Sequence, residues 1–138
     1  MSENSEKDCI FCKIIRGEIP CDKVYEDENF FAMLDIHPLN PGHTMLLPKK
    51  HVRWVNDYEP FCDYWQTARK LSKIIQKALN PVLVGHSTYG LGVPHAHIHL
   101  IPKYENDAHP NGFNADHTLN LSKEEMKSIA EKIRKEIK

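Results

Sequence analysis

The run His95-Ala96-His97-Ile98-His99-Leu100 alternates imidazole with apolar side chains at a period of two. Only an extended strand sorts that pattern into two faces. His95, His97 and His99 then share one face at a spacing of about 6.6 Å, and Ala96, Ile98 and Leu100 share the other. A strand with a merely solvated face would carry Thr, Lys or Glu there rather than three imidazoles. Gly90, Gly92 and Pro94 lie just upstream and keep the approach bare of side chains, as a ligand-bearing site requires.

The remaining chain supplies neighbours for this strand. Pro81 to Gly90 reads as a strand that starts apolar and turns polar, joined to the histidine strand by a Gly-containing turn and so its antiparallel partner. Lys23 to Ile36 reads as two strands around a polar turn at Asp27, Glu28 and Asn29. After the Pro/Gly-rich loop His37 to Gly42, His43 opens a further strand that Pro48 stops, with His51 just beyond. Between Pro60 and Leu79, Phe61, Trp65, Ala68, Leu71, Ile75 and Ala78 recur at three- and four-residue steps, the mark of an amphipathic helix. A short helix around Phe11, Ile14 and Ile15 closes at Gly17 and Pro20. Ser122 and Glu125 form a capping box for a last helix with Met126, Ile129, Ala130, Ile133 and Ile137 on its apolar face. The sum is an α+β fold: about five antiparallel strands with helices on one face.

At 138 residues the chain is one domain, expected over 9–138, behind a polar, disordered leader at 1–8. A net charge of -1 argues against nucleic acid or an anionic membrane as an electrostatic partner. No apolar run reaches the roughly 20 residues of a spanning helix, and the N-terminus has no secretory pattern, so the expected location is cytoplasmic. In that compartment Cys9 and Cys12, a C-x-x-C pair, read as a redox pair or half of a zinc site. Cys21 and Cys62 read as small buried or half-buried thiols. The long polar loop from Tyr104 to Leu121 is of the functional or mobile kind, and its His109 and His117 read as solvated bystanders.

From spacing alone the three imidazoles fit either a zinc-binding arm or a nucleophile for phosphoryl and nucleotidyl transfer. The sequence "HAHIHLI" resembles the signature of the histidine triad (HIT) family, with Ala96 as a small apolar member. "CIFCKIIRGEIP", "KVYEDENFFAMLDI" and "GHTMLLPKKHV" are similar, in the same order, to signature blocks of its nucleoside phosphoramidase (Hint-like) branch. The resemblance runs from about Cys9 to Lys103.

That resemblance implies a HIT-like sheet and a hydrolase of nucleoside 5'-phosphoramidates or related nucleotide conjugates. His97 would be the nucleophile, His99 the clamp on the phosphate oxygens, and His43 the histidine that orients the nucleophile. Asp35 would hold the ribose hydroxyls, and Met33, Leu34 and Ile36 the base, of which at least one must be plain strand core because neighbours alternate. Cys9, Cys12, His51 and His95 would hold a structural zinc, with no organic cofactor. For His95 to do so, the strand must bend near Pro94. A homodimer and a purine nucleotide are further implications.

Where the family usually keeps a Gln-Ser pair before the triad, this chain has Leu91-Gly92, and an often-seen Asn-Asn appears as Gly85-His86. The expectation is that the amides of Gly90 and Gly92, together with His86, take over part of the nucleotide contacts. Two alternatives stand beside the leading one: a nucleotide-binding module with little catalysis, and a zinc-dependent hydrolase.

Overall fold

A computed structural model describes residues 6–137. Of the expected leader, residues 1–5 lie outside the described residues, and Glu6 to Asp8 form an exposed turn. The elements in order are α1 (Ile10–Ile15), β1 (Lys23–Glu26), β2 (Phe30–Leu34), β3 (Thr44–Pro48), α2 (Phe61–Leu79), β4 (Leu83–Ser87), β5 (Ile98–Lys103) and α3 (Lys123–Lys135). The five strands form one antiparallel sheet in the order β1-β2-β3-β5-β4. This is the α+β, HIT-type architecture expected from the sequence.

The β1–β2 hairpin closes because one Asp27 carboxylate oxygen accepts the amides of Asn29 and Phe30, at 2.8 and 2.7 Å. β2 and β3 are buried along their whole length, as central strands covered on both sides must be. Phe30, Ala32, Leu34, Leu46, Ile98 and Leu100 point to one face. There α2 lays down Tyr64, Ala68, Leu71 and Ile75, at steps of four, three and four, and α3 adds Met126, Ala130 and Ile133. α2 ends at Asn80, whose left-handed backbone (φ 54, ψ 48) returns its amide to the Gln76 carbonyl. α3 starts on the full Ser122–Glu125 capping box.

The opposite face is covered only in part. Phe31, Met33, Met45 and Leu47 meet Cys9, Phe11 and Cys12 of the N-terminal segment, so α1 sits alone on this side. His99 lies directly across from Met45 in the β3–β5 register and therefore belongs to this thinner layer. The fold thus devotes one face to a core and the other to a site.

Candidate active site

The strand breaks its own pattern before β5 begins. The His95 amide donates to the Val93 carbonyl at 2.8 Å, closing a three-residue turn centred on Pro94. The Ala96 amide then donates to the Val52 carbonyl at 2.8 Å, beyond the end of β3. β5 is regular only from Ile98, and His95 swings away from the face that His97 and His99 share. The bend that the sequence demanded near Pro94 is present.

His95 turns toward the N-terminal segment and meets Cys9, Cys12 and His51. The His95 Nδ1 lies 3.3 Å from Cys9 Sγ, 3.4 Å from Cys12 Sγ and 3.2 Å from His51 Nδ1, and His51 Nδ1 lies 3.3 Å from Cys12 Sγ. A tetrahedral zinc with ligand distances of roughly 2.0–2.3 Å requires donor separations of about 3.3–3.8 Å. The Cys12 amide points at Cys9 Sγ, 3.4 Å away, and Cys9 is itself the N-cap of α1. The His95 Nε2–H donates to the Pro48 carbonyl at 2.9 Å, which keeps the proton off Nδ1 and leaves that lone pair for a cation. Burial and the adjacent Cys9 push the Cys12 thiol up to about 12 when no cation offsets them. The chemistry of this donor set fits a divalent metal.

His97 is wired the other way round. Its Nδ1–H donates to the backbone carbonyl of His95 at 2.7 Å, so Nε2 keeps its lone pair. Burial pulls its pKa below the ordinary histidine value, with the carbonyl bond and Asp35 opposing and Arg53 assisting. The edge of Phe11 packs on the ring at a centroid distance of 5.2 Å and an interplanar angle of 88°, fixing its plane. The result is a neutral, oriented imidazole with one free nitrogen.

A second pair continues the pattern. The Leu39 amide donates to His43 Nδ1 at 3.0 Å, so His43 carries its proton on Nε2. That Nε2–H donates to His99 Nδ1 at 2.9 Å, which in turn places the His99 proton on Nε2. Burial holds both rings near a pKa of about 4, well below 6.5, so both are neutral at physiological pH. Asp35 stands 3.5 Å from His43 Nε2 and 3.9 Å from His99 Nδ1 with one oxygen, while its other oxygen accepts the His37 amide at 2.9 Å. Asp35, His43 and His99 are close enough to be considered as metal ligands. The proton on His43 Nε2 argues against that use, because the nitrogen that would face the ion is a donor.

These groups border a cleft of about 610 Å³. It brings together Met33, Leu34, Asp35, Ile36, Gly90, Gly92, His97 and His99 from the expected set. Leu34 also packs in the core under the helices, Met33 faces the α1 side, and Ile36 is 73% exposed on the rim. Gly90 adopts φ +70, a conformation that favours glycine, and its carbonyl accepts Arg53 Nη1 at 2.7 Å. His86 is not brought to the cleft. It pairs with Leu100 on β5 and turns toward α2, where its Nε2 meets Ser72 Oγ at 2.9 Å and its ring meets Trp65. The single-residue alternation that carries His86 to the helix face puts Ser87 on the site face, across from His99.

His109 corrects the sequence reading more strongly. It is 2% exposed rather than solvated, whereas His117 beside it is exposed. Its Nε2–H donates to the Leu39 carbonyl at 2.7 Å and its Nδ1 accepts the Asn114 amide at 3.1 Å. Nothing in local sequence announces the first of these bonds, since Leu39 lies 70 residues upstream. Sequence reasoning also passed over a cavity of about 310 Å³ bordered by Arg53, Trp54, Asn56, Asp57 and His97. There the Arg53 guanidinium stacks 3.7 Å above the Trp54 ring.

Comparison with known proteins agrees with this geometry. The family model described as HIT domain matches residues 16–106. A relative named adenosine 5'-monophosphoramidase hnt1, from Schizosaccharomyces pombe, is 35% identical over 133 residues, covering 94% of this chain and 98% of its own. The adenylylsulfatase HINT3 of Arabidopsis thaliana is 36% identical over 113 residues, covering 77% of this chain and 57% of its own. The crystal structure of a Hit-like protein involved in cell-cycle regulation from Bartonella henselae superimposes with a TM-score of 0.81 at 29% identity, covering 97% of this chain and all of that one. The chain belongs to the HIT domain family, with Hint-like adenosine monophosphoramidases among its homologues.

Proposed function

We propose that this protein hydrolyses nucleoside 5'-phosphoramidates or related nucleotide conjugates through a nucleotidyl-His97 intermediate. The observation that carries the reading is the pair of hydrogen bonds at Nδ1, His97 to the His95 carbonyl and His99 to His43 Nε2, which together assign the lone pair to Nε2 of His97 and the proton to Nε2 of His99. A nucleophile needs the first and a phosphate clamp needs the second. His97 Nε2 attacks the α-phosphorus, the phosphorus–nitrogen bond to the ring forms, and the bond to the leaving group breaks. Water then attacks the same phosphorus, releasing a nucleoside monophosphate and restoring neutral His97. His99 Nε2–H hydrogen-bonds the non-bridging oxygens in both steps, and His43 holds His99 in the donor form. Asp35, with an oxygen beside that pair, accepts the ribose hydroxyls while Met33, Leu34 and Ile36 offer apolar surface to the base, a surface suited to a purine. Gly90 and Gly92 border the same cleft, and their amides are the available donors on that lip.

Relatives named as adenosine monophosphoramidase and adenylylsulfatase support a nucleotide hydrolase and differ in the bond they break. Cys9, Cys12, His51 and His95 hold a structural zinc, which when bound ties the N-terminal segment to the turn at Pro94. No helix among the described residues is long and apolar enough to cross a membrane. Edge strand β4, with Val82 and Leu83 exposed at its start, offers a surface for a homodimer.

The test is a rapid quench with a radiolabelled adenosine phosphoramidate. An acid-labile nucleotidyl-protein should accumulate in the wild type and be absent in His97→Ala. Full turnover by that variant would end the covalent mechanism. Tight nucleotide binding with no turnover in the wild type would favour a binding module, the reading that Leu91 and Gly92 motivate.

A further inference from the structure

The buried histidine of the long loop points straight at the segment that sets the His43 tautomer. Residues 104–121 contain no helix or strand, yet the loop is fixed at several points. Asp107 accepts Lys103 Nζ at 2.8 Å, the Tyr104 amide at 3.0 Å, the His109 amide at 2.9 Å and Asn40 Nδ2 at 2.9 Å. Those bonds hold its carboxyl well below the usual range against the opposing effect of burial. The Lys103 ammonium reaches on to the His109 carbonyl and to the Gly112 carbonyl. So anchored, the loop grips residues 38 and 39 twice. His109 Nε2–H holds the Leu39 carbonyl at 2.7 Å, and the Leu119 amide holds the Pro38 carbonyl at 2.7 Å.

The second bond matters because the Pro38 carbonyl and the Leu39 N–H belong to one peptide group. A donor on that oxygen polarises the N–H on the other side, and this N–H is the one that His43 Nδ1 accepts. The first bond fixes the next peptide plane and so restrains the Leu39 backbone from the carbonyl side of its Cα. Four links follow in series: loop to Leu39, Leu39 to His43, His43 to His99, and His99 to the phosphate.

We infer that His109 is a positioning residue for phosphate transfer: by clamping Leu39 it locks His43 in the Nε2–H tautomer and thereby keeps His99 a donor to the substrate. The inference rests on the nucleotidyl-transfer reading for its catalytic consequence, but the tautomer itself is measurable without substrate. If the clamp is lost, the Leu39 amide tilts and His43 moves its proton to Nδ1 part of the time. His43 Nε2 and His99 Nδ1 would then confront each other as two acceptors. His99 relieves that conflict by moving its own proton to Nδ1, which removes the donor from the phosphate side.

The test compares His109→Gln, which keeps an amide donor toward Leu39, with His109→Met, which fills similar space and donates nothing. Two readouts are taken: steady-state kinetics on an adenosine phosphoramidate of an aromatic amine, and the ring ¹⁵N shifts of His43 in the substrate-free protein. His109→Met should lose roughly tenfold in kcat, as supporting-shell losses do, with KM changed by less than about twofold. Its His43 spectrum should change from one Nε2–H species to a mixture, and His109→Gln should recover most of both. Unchanged kcat in His109→Met, a loss with an unaltered His43 tautomer, or no recovery in His109→Gln would each overturn the inference. Where His109→Met does not fold, His109→Leu, which likewise donates nothing to Leu39, is read by the same criteria. Failure of the parent reading looks different: His97→Ala would keep turnover while the His43 tautomer still answered to residue 109.

Discussion

Two histidine clusters lie a few residues apart and use the same side chain for opposite ends. Around Cys9 and Cys12, the rings of His51 and His95 turn their Nδ1 atoms inward to a closed point shared with two sulfurs. Around the cleft, His97 and His99 anchor Nδ1 on the protein and leave Nε2 for whatever enters. The difference does not lie in charge, because His95 and His99 are both held near a pKa of about 4 by burial. It lies in which nitrogen the backbone claims: the Pro48 carbonyl takes Nε2 of His95, and the His95 carbonyl takes Nδ1 of His97. One hydrogen bond per ring separates the proposed ligand from the proposed nucleophile.

The contrast makes its sharpest claim at His97. His97→Ala should lower turnover by roughly 10⁴-fold or more, as removal of an attacking residue does, while the melting temperature stays close to that of the wild type. If the melting point collapsed instead, His97 would belong with the first cluster. The first cluster should answer in the reverse order. If the cluster holds the proposed zinc, a chelator, or Cys12→Ser, should destabilise the fold by several kcal/mol, read as a fall in urea midpoint before activity declines. Loss of turnover at full stability would move the metal into the chemistry.

Next in size is His99→Ala, expected to cost about 10²–10³ in kcat through the lost donor to the phosphate oxygens. A change confined to KM would deny it a role in the transition state. A further effect is one of pH. His43 and His99 have folded pKa values of about 4 against 6.5 for the free side chain. Below 6.5 the unfolded chain takes up protons that the folded one refuses, so their contribution is complete above pH 6.5 and is lost as pH falls toward 4. The slope is at most about 1.4 kcal/mol per pH unit for each group. Urea titrations between pH 7 and 4 should show it, and His43→Gln should flatten it. An unchanged slope in that variant would mean His43 titrates freely.

Much of this was readable from the chain because period-two and period-3.6 patterns report directly on strands and helices. Asp27, Ser122 and Glu125 announced a turn and a cap by local chemistry alone. The bend at Pro94 was legible too, since His95 could not serve the metal cluster and share a face with His97 in a straight strand. His86 and Ser87 were harder, because register decides which of two neighbours meets His99, and a gapped alignment cannot fix register to one residue. His109 was not legible at all. A polar loop with a histidine looks solvated until the partner carbonyl, supplied by Leu39, is known.

The Cys9–His95 contact also has a temporal side. It closes 86 residues of chain, for which the length-dependent part of the closure entropy alone is about 4 kcal/mol. Four of the five strands lie inside that interval, so α1 can rest on β2 and β3 before the turn at Pro94 brings His95 to Cys9. During synthesis Cys9 is therefore made long before its histidine, and that contact cannot close until the turn at Pro94 has emerged.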